Sequence, residues 1–563
     1  LNCELACSVV HSRSGLLATA IDEEISPRRR VRVAAGKDAI EALCCEQCLE
    51  PLCAFSCKSG AIHRDPISGQ TLLDESRCVA CYMCLMVCPH GVRPDPARDS
   101  VVRCDVCRTL DIPACVEACP SGALIAQSRP DCRIQSEFDG HVVVVGSSAA
   151  GVAACEAARE IAPECSITLV TADDASEYSR PLLPYVLARR IAPAQTNWRA
   201  DDYLESRLKV RVLRGRRATA LKPDAGPLTL DDGTELTYDR LILATGARPA
   251  AGLAGACSLR NLEDLEKIER LAEPGRSAVV LGGGNVGLQA CEALLARGMK
   301  VTVVVASPWL LSQMVDAEAG RRVAELFIRH GLNVRTGRDA VEITGNGRVE
   351  SVRLDNGERI DADLVVIGKG IIPNVEWLAG SGIQVARGIV TDLCGRTNIP
   401  GIFAAGDCAE TIDPLTGRSS ISGIWPVAYE TGRAAGSTAV GMDRPSAGAL
   451  RMNASRFFEI PLISIGEVRP ERLDGATAEV LANRDGVYRK LVHHQGRLAG
   501  AILYGDISDA GLFYRRYRTD TPLPDGRGSE TAPAPPGNVT APPGNVTEPR
   551  PSGSGQGSNP ANV

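Results

Sequence analysis

The chain has 563 residues, 44% of them hydrophobic, with a formal net charge of −6 and a pI near 5.8. That length calls for several domains and that composition can fill their cores, while the acidic balance removes the electrostatic case for nucleic acid. No apolar run reaches the roughly 18 residues needed to cross a bilayer and no charged-then-apolar signal segment stands at the start, so the chain reads as soluble and cytoplasmic.

Fifteen of the 22 cysteines stand at or before Cys119, and twelve of these form three sets of four. Cys45, Cys48, Cys53 and Cys57 read C-x-x-C-x-x-x-x-C-x-x-x-C. Cys78, Cys81, Cys84 and Cys88, followed by Pro89, read C-x-x-C-x-x-C-x-x-x-C-P. Cys104, Cys107, Cys115 and Cys119, followed by Pro120, repeat the theme with seven residues in the middle gap. A disulfide scaffold fits poorly, because such domains are small and secreted. Zinc also uses C-x-x-C pairs, but zinc sites rarely interleave the second pattern. That pattern is the bacterial ferredoxin run, in which three cysteines hold one [4Fe–4S] cluster and the fourth reaches another.

Residues 1–137 are therefore read as a double-ferredoxin iron–sulfur domain built by duplication. Cys53-Ala-Phe-Ser-Cys57-Lys-Ser-Gly-Ala-Ile recurs as Cys115-Val-Glu-Ala-Cys119-Pro-Ser-Gly-Ala-Leu. The opening Cys3-Glu-Leu-Ala-Cys7 has the C-x-x-x-C ending of a further set without its C-x-x-C, as if that motif were cut in half. The domain resembles the four-cluster ferredoxin subunits of the dimethyl sulfoxide reductase and hydrogenase type. Through Cys3 to His11 it resembles the iron–sulfur protein that accompanies carbon monoxide dehydrogenase. The resemblance implies interleaved ligation: Cys45, Cys48 and Cys53 with Cys88; Cys78, Cys81 and Cys84 with Cys57; Cys104, Cys107 and Cys115 with Cys7. Cys3 and Cys119 would belong to a fourth cluster short of two ligands, leaving three complete clusters and a fourth in doubt. Cys44 and Cys132 lie outside the spacing and read as structural. His11, His63 and His90 read as solvated or hydrogen-bonding.

From Phe138 the texture changes. The strand His141–Val145 leads into Gly146-Ser-Ser148-Ala-Ala-Gly151 and an alanine-rich helix, a dinucleotide fingerprint with Ser148 in place of its middle glycine. A second strand, 167–170, leads to Asp173, where an acid can bind a ribose hydroxyl. A full G-x-G-x-x-G follows at Gly282, Gly284 and Gly287, with a helix predicted over 288–297 and a strand over 300–305. Two such units imply two dinucleotides. Thr245-Gly246 lies between them and Gly406-Asp407 after them. This order resembles the two-dinucleotide flavoproteins of the pyridine nucleotide–disulfide reductase superfamily over roughly residues 138–515. The resemblance implies FAD on the first unit, NAD(P)H on the second, and Asp407 on the ribityl chain. Tyr178-Ser-Arg180-Pro-Leu-Leu-Pro-Tyr185 resembles the flavin-facing segment of NADH oxidases and of the NADH-accepting part of assimilatory nitrite reductase, which brings Arg180 into the cofactor set. Coenzyme A–disulfide reductases and NADH peroxidases carry a redox cysteine close by. Residues 174–198 have none, and Cys155 and Cys165 read as packed thiols, so disulfide reduction is disfavoured. The second unit's strand ends Val305-Ala-Ser307 with neither the acid nor the arginine that would select a ribose or its 2′-phosphate, and NAD is favoured over NADP.

The expected fold is α/β, with two Rossmann-like domains and a small α+β C-terminal domain behind the ferredoxin domain. The expected boundaries are 1–137 iron–sulfur, 138–275 FAD first part, 276–395 NAD(P)H, 396–445 FAD second part, 446–519 C-terminal interface domain and 520–563 disordered tail. The helix expected over 422–433 would pack near the flavin, and the C-terminal domain would make a possible homodimer. The tail is rich in Pro, Gly, Ser, Asn and Thr and cannot bury a core. The implied function is an NAD(P)H-dependent FAD/iron–sulfur oxidoreductase. It would exchange electrons with a redox protein, either ferredoxin-like or a dehydrogenase or hydrogenase-type enzyme. Hydride transfer needs no general acid or base, so no catalytic side chain is nominated. The alternatives are a flavoprotein acting on a small molecule with the clusters as internal wire, and a non-catalytic electron-transfer subunit.

Overall fold

The computed structural model describes residues 2–23, 28–35, 40–66, 68–127, 135–222, 226–250, 253–520 and 538–540; Cys132 lies outside them. Valines 142–145 are all buried, because the strand His141–Val145 is central in a parallel sheet covered on both faces, by helices beside Val142 and Val144 and by the small antiparallel sheet with Ala218–Leu221 and Leu228–Leu230 beside Val143 and Val145, so no polar alternation is needed. The sheet order is Arg211–Leu213, Ser166–Val170, His141–Val145, Arg240–Leu243, Ile402–Ala404, every pair parallel. The alanine-rich helix Ala149–Ile161 packs against Trp425–Ala439, the helix expected near residues 422–433. Their approach depends on glycine: a Cβ on Gly432 would lie 2.2 Å from the Ala150 carbonyl oxygen, and one on Gly436 2.3 Å from that of Ala154.

The second parallel sheet runs Cys257–Ser258, Leu364–Ile367, Ser277–Leu281, Lys300–Val305, Asn333–Thr336. It draws Cys257–Ser258 from ahead of the 275/276 divide, and helix Leu262–Leu271 packs against that strand. The crossing between the two nucleotide domains is an antiparallel pair, Ala247–Pro249 with Ile371–Pro373. After it Leu378, Ile383 and Ile389 already pack into the core of the first domain, so the return precedes residue 395. A two-residue strand has no periodicity to read, which is why the sequence places these boundaries late.

In the cysteine domain, three one-turn helices, Leu52–Phe55, Met83–Met86 and Ala114–Glu117, each carry the third cysteine of a set at their second position, and the fourth cysteine follows the turn. The duplication in sequence is thus a duplication in structure.

The C-terminal domain is a five-stranded antiparallel sheet, Met452–Phe457, Ile460–Gly466, Arg497–Tyr504, Val487–His494, Thr477–Arg484, followed by helix Ala510–Asp520. Alternation gives it two apolar faces. Leu450, Met452, Ile463, Ile465 and Tyr517 share a core with Ile62, Leu85 and Met86 of the cysteine domain. Phe457, Leu462, Tyr488 and Ile502 share one with Val323 and Phe327 of the second nucleotide domain. Both faces are covered within one chain, and Thr477–Arg484 is the exposed edge. Asn538–Thr540 pairs in parallel with Ile125–Gln127, and the rest of the tail after Asp520, where disorder is expected, lies outside the described residues. Among the described residues no helix is long and apolar enough to cross a membrane.

Candidate redox site

The two nucleotide turns have the same construction. Gly146 has φ +115°, and a Cβ there would lie 2.1 Å from the Ala244 carbonyl oxygen. One on Gly151 would lie 1.7 Å from the Gly146 oxygen, so both positions require glycine. Gly282 (φ +114°) and Gly287, whose Cβ would meet the Gly282 oxygen at 2.0 Å, repeat the pattern. The middle position is different. Ser148 has φ −89°, ψ −167° and Gly284 φ −82°, ψ −179°, extended backbone open to any residue. Serine at position 148 therefore adds one side chain to the cradle without backbone strain. Neither helix start is capped by a side chain, which leaves first-turn N–H groups aimed outward, as binding of a pyrophosphate requires. A Cβ on Gly284 would have no neighbour nearer than 4.0 Å, so the second cradle is open space. Both turns fit a dinucleotide.

The expected cofactor-binding side chains meet one another. Asp173 Oδ2 is 2.5 Å from Arg180 Nη2, and among the described residues nothing donates to its other oxygen, which suits a ribose hydroxyl. Arg180 also donates to the Tyr178 hydroxyl at 2.8 Å. Asp407, in the turn Gly406–Cys408, pairs at 3.0 Å with Arg260, a residue the sequence does not single out. The Gly406 N–H donates to Thr431 Oγ1 (3.0 Å), tying that turn to the helix Trp425–Ala439. Thr245 Oγ1 donates to the Asn374 carbonyl and Asn374 Nδ2 to the Thr245 carbonyl, both at 2.9 Å, which locks the crossing beside Gly246. In the second domain Ser307 donates to the Trp309 carbonyl and so is engaged within its own loop. Cys155 and Cys165 are buried, and burial pushes both thiols up.

The cysteine sets gather as follows. The thiols acting on Cys84 are Cys57, Cys81, Cys78 and Cys53; those acting on Cys53 are Cys88, Cys45 and Cys48. Cys115 is acted on by Cys7, Cys107 and Cys3, and Cys104 by Cys45 and Cys44. Burial pushes up Cys53, Cys57, Cys84, Cys88, Cys104 and Cys107, with Cys78 raised to about 11 and Cys115 to about 12, and a bound metal would offset that burial. Cys119 and Cys7 go the other way: the backbone N–H of Leu124 leads a set of donors that draws Cys119 down to about 7, and against burial the His11 side chain and the Arg30 N–H lower Cys7. A tetrahedral zinc needs sulfurs about 3.8 Å apart. Among the described residues the one group of three ligand atoms within 4.8 Å is His11, Asp105 and Cys107, so no cysteine set is drawn in that tightly. The backbone adds a signature. The residue before the second cysteine of each C-x-x-C is left-handed: Gln47 at φ +49°, Ala80 at +49°, Val106 at +62°. For β-branched Val106 this is a strained conformation, imposed by the turn and not chosen by the residue. The turns suit polynuclear clusters on cysteine.

Backbone N–H groups point at the sulfurs: Ile62 to Cys57 at 3.2 Å, Val106 to Cys104 at 3.3 Å, Arg30 to Cys7 at 3.1 Å. Arg103 Nη2 donates to Cys45 Sγ at 2.9 Å. His11 and His90 are hydrogen-bonding, as expected: His11 lies 3.1 Å from Asp105 and 2.7 Å from the Cys7 carbonyl, His90 2.9 Å from Glu46.

The segment 52–62 seats the cysteine domain on the first nucleotide domain. Phe55 stacks on Tyr429, a Cβ on Gly60 would lie 2.4 Å from the Trp198 carbonyl oxygen, and Lys58 Nζ donates to the Tyr185 hydroxyl at 3.5 Å. On the far side, Gly511 lets the C-terminal helix approach, its Cβ position being 2.0 Å from the Cys88 carbonyl oxygen. Lys58, Arg260 and Asn374 carry no motif, and only their neighbours in space mark them.

Two parallel sheets with glycine-dependent turns, joined by a crossing pair and returning through a Gly-Asp turn, define a two-dinucleotide oxidoreductase; the cysteine turns define an iron–sulfur module attached to it. Comparison with known proteins agrees: the chain belongs to the pyridine nucleotide-disulphide oxidoreductase family, whose profile matches residues 140–432. A 4Fe-4S dicluster domain matches residues 39–129 and a rubredoxin NAD+ reductase C-terminal domain residues 452–516. The NADH-dependent phenylglyoxylate dehydrogenase subunit epsilon of Aromatoleum evansii is 33% identical over 68% of this chain and 93% of its own length. The nitrite reductase [NAD(P)H] of Bacillus subtilis is 32% identical over 66% of this chain, which spans 46% of that relative's length. Among solved structures, the covalent putidaredoxin reductase–putidaredoxin complex superposes with a TM-score of 0.63 at 27% identity, covering 70% of this chain and 97% of that one.

Proposed function

We propose that this chain is an NAD(P)H-dependent FAD and iron–sulfur oxidoreductase that moves electrons between a nicotinamide and a redox protein. The observation that carries the reading is the seating of segment 52–62. It brings Lys58, the neighbour of Cys57, to 3.5 Å from the hydroxyl of Tyr185, the end of the segment that resembles the flavin-facing one. The flavin supplies the conversion between the two-electron hydride and one-electron clusters. The chain's own groups do the rest. Gly146, Ser148 and Gly151 receive the FAD pyrophosphate, Asp173 its ribose and Asp407 its ribityl chain, with Arg180 and Arg260 fixing those carboxylates. Gly282, Gly284 and Gly287 receive the nicotinamide dinucleotide, NAD in preference. Thr245, Gly246 and Asn374 hold the two domains in register. Buried apolar walls around the cysteines exclude water from the electron path.

The ligand sets implied by the family resemblance are Cys45, Cys48, Cys53, Cys88; Cys57, Cys78, Cys81, Cys84; and Cys7, Cys104, Cys107, Cys115, with Cys3 and Cys119 left for a fourth cluster. Cys88 borders a cavity of about 320 Å³ rimmed by Arg28, Arg29, Arg32, Arg93 and His90. Burial and the charges of Arg29 and Arg32 hold Arg93 below its usual range, which supports an acidic redox partner at this rim. The absence of a redox cysteine in 174–198 favours a protein acceptor over a disulfide. The test is anaerobic purification, a count of iron, sulfide and flavin, then addition of NADH or NADPH. Bleaching of flavin and cluster bands is expected; a chain that binds no flavin overturns the reading.

A further inference from the structure

Lys58 directly follows Cys57 and is 8% exposed. Its ammonium lies 3.5 Å from the Tyr185 hydroxyl and 4.9 Å from that ring's centroid. The groups that act most strongly on it are Tyr185 and the sulfurs of Cys81 and Cys57. Among the described residues no carboxylate pairs with it. Arg199, Arg433 and Arg518 each have one, in Glu156, Glu160 and Glu430, whereas the buried Arg103 is also without one among the described residues and donates to Cys45 Sγ at 2.9 Å. A buried ammonium without a counter-charge is costly, and the acidic groups that act on Lys58 besides Tyr185 are the sulfurs of Cys81 and Cys57. Four thiolates around a [4Fe–4S] core leave it net negative, and reduction adds one more negative charge.

We infer that Lys58 is the counter-ion of the centre held by Cys57, Cys78, Cys81 and Cys84, and that its fixed charge raises that centre's reduction potential. This inference rests on the proposed cluster ligation. Reduction puts one electron on the centre, taken from the flavin or from a chemical reductant, and neither makes nor breaks a bond. The added charge is stabilised by the ammonium beside Tyr185. Tyr185 is a positioning residue in this account: its hydroxyl and ring hold the ammonium toward the sulfurs. The positions that match Lys58 in the other two sets are Pro89 after Cys88 and Pro120 after Cys119, so a lysine follows the fourth cysteine in one set alone.

The test is a potentiometric titration of the full chain, purified without oxygen, with mediators and dithionite and the centres read by electron paramagnetic resonance. Lys58→Met should make reduction of one centre at least tenfold less favourable, about 59 mV for a one-electron couple, and leave the others in place. Lys58→Arg should restore most of the shift. Unchanged midpoints in Lys58→Met at wild-type iron content overturn the proposal, as does an equal shift in Lys58→Arg and Lys58→Met. If Lys58→Met loses iron from one centre while Lys58→Arg keeps it, the charge is needed to hold the centre and the proposal stands; loss in both assigns Lys58 a steric role and ends it. Mediators charge the centres directly, so the result is independent of whether NAD(P)H reduces the flavin. Failure of the proposed function shows separately, as an unbleached flavin.

Discussion

The ring of Phe55 lies on the ring of Tyr429 with centroids 5.0 Å apart and planes 20° from parallel. One residue comes from the first cysteine repeat and the other from the helix that closes the flavin domain, with Arg433 over the outer face of Phe55 at 4.8 Å. This stack is a joint between the two redox modules. Phe55→Ala should cost about 3 kcal/mol, since the aromatic pair and its burial are both lost. The flavin should still bleach with NAD(P)H at the wild-type rate while cluster reduction slows. Stopped-flow absorbance at flavin and cluster wavelengths separates the two.

Below that joint, Glu156 accepts from Arg199 (3.0 Å), Tyr203 (2.8 Å) and Tyr429. Burial alone would raise its carboxyl, but the Arg199 charge and the Tyr429 hydroxyl outweigh it and hold it below its ordinary value of 4.5. A depressed carboxyl stabilises the fold above its unfolded value and loses that contribution as the pH falls through the folded one. Stability from this group is therefore complete at neutral pH and drains below 4.5. Glu156→Gln leaves Arg199 buried without its partner and should cost about 3–5 kcal/mol at pH 7. Thermal melts from pH 3 to 8 should show wild type approaching the variant at the acid end.

The two nucleotide turns predict opposite tolerances. Ser148→Gly removes a side chain from backbone that needs no glycine, and should change flavin retention by a few tenths of a kcal/mol. Gly284→Ala meets its nearest protein atom, the Gly368 carbonyl oxygen, at 4.0 Å, so the chain should fold with its full flavin. The methyl then occupies pyrophosphate space, and the KM for NADH should rise roughly tenfold, about 1.4 kcal/mol. Flavin content and steady-state kinetics check both. Gly151→Ala, with its Cβ 1.7 Å from the Gly146 oxygen, should lose the flavin altogether.

The arginine rim beside Cys88 should steer an acidic partner. Arg32 and Arg93 have no carboxylate partner among the described residues. Reversing both, Arg32→Glu with Arg93→Glu, should slow reduction of an acidic ferredoxin about tenfold at low ionic strength. The deficit should close as salt screens the contact, and NADH-driven flavin bleaching should not change.

Much of this was legible in the chain. The C-x-x-C spacing, the two glycine fingerprints, the Thr-Gly crossing and the Gly-Asp return each reflect a backbone demand that only certain residues meet, so they show in one dimension. The strands at 141–145 and 300–305 fall where runs of buried valine place them. What stayed hidden comes from tertiary contact. Strand Cys257–Ser258 is too short to have a period. Val106 takes a left-handed turn that its own propensity opposes. Arg260 reaches Asp407 from 147 positions away, and Lys58 reaches Tyr185 from 127. The C-terminal sheet alternates as expected, but only the structure shows both faces already covered by neighbours in the same chain.

The most direct test of the account is the order of electron arrival after NADH is mixed anaerobically with the holoprotein. Flavin absorbance should fall first and cluster absorbance should follow. Cluster reduction with the flavin removed, or flavin reduction that never reaches a cluster, would contradict it.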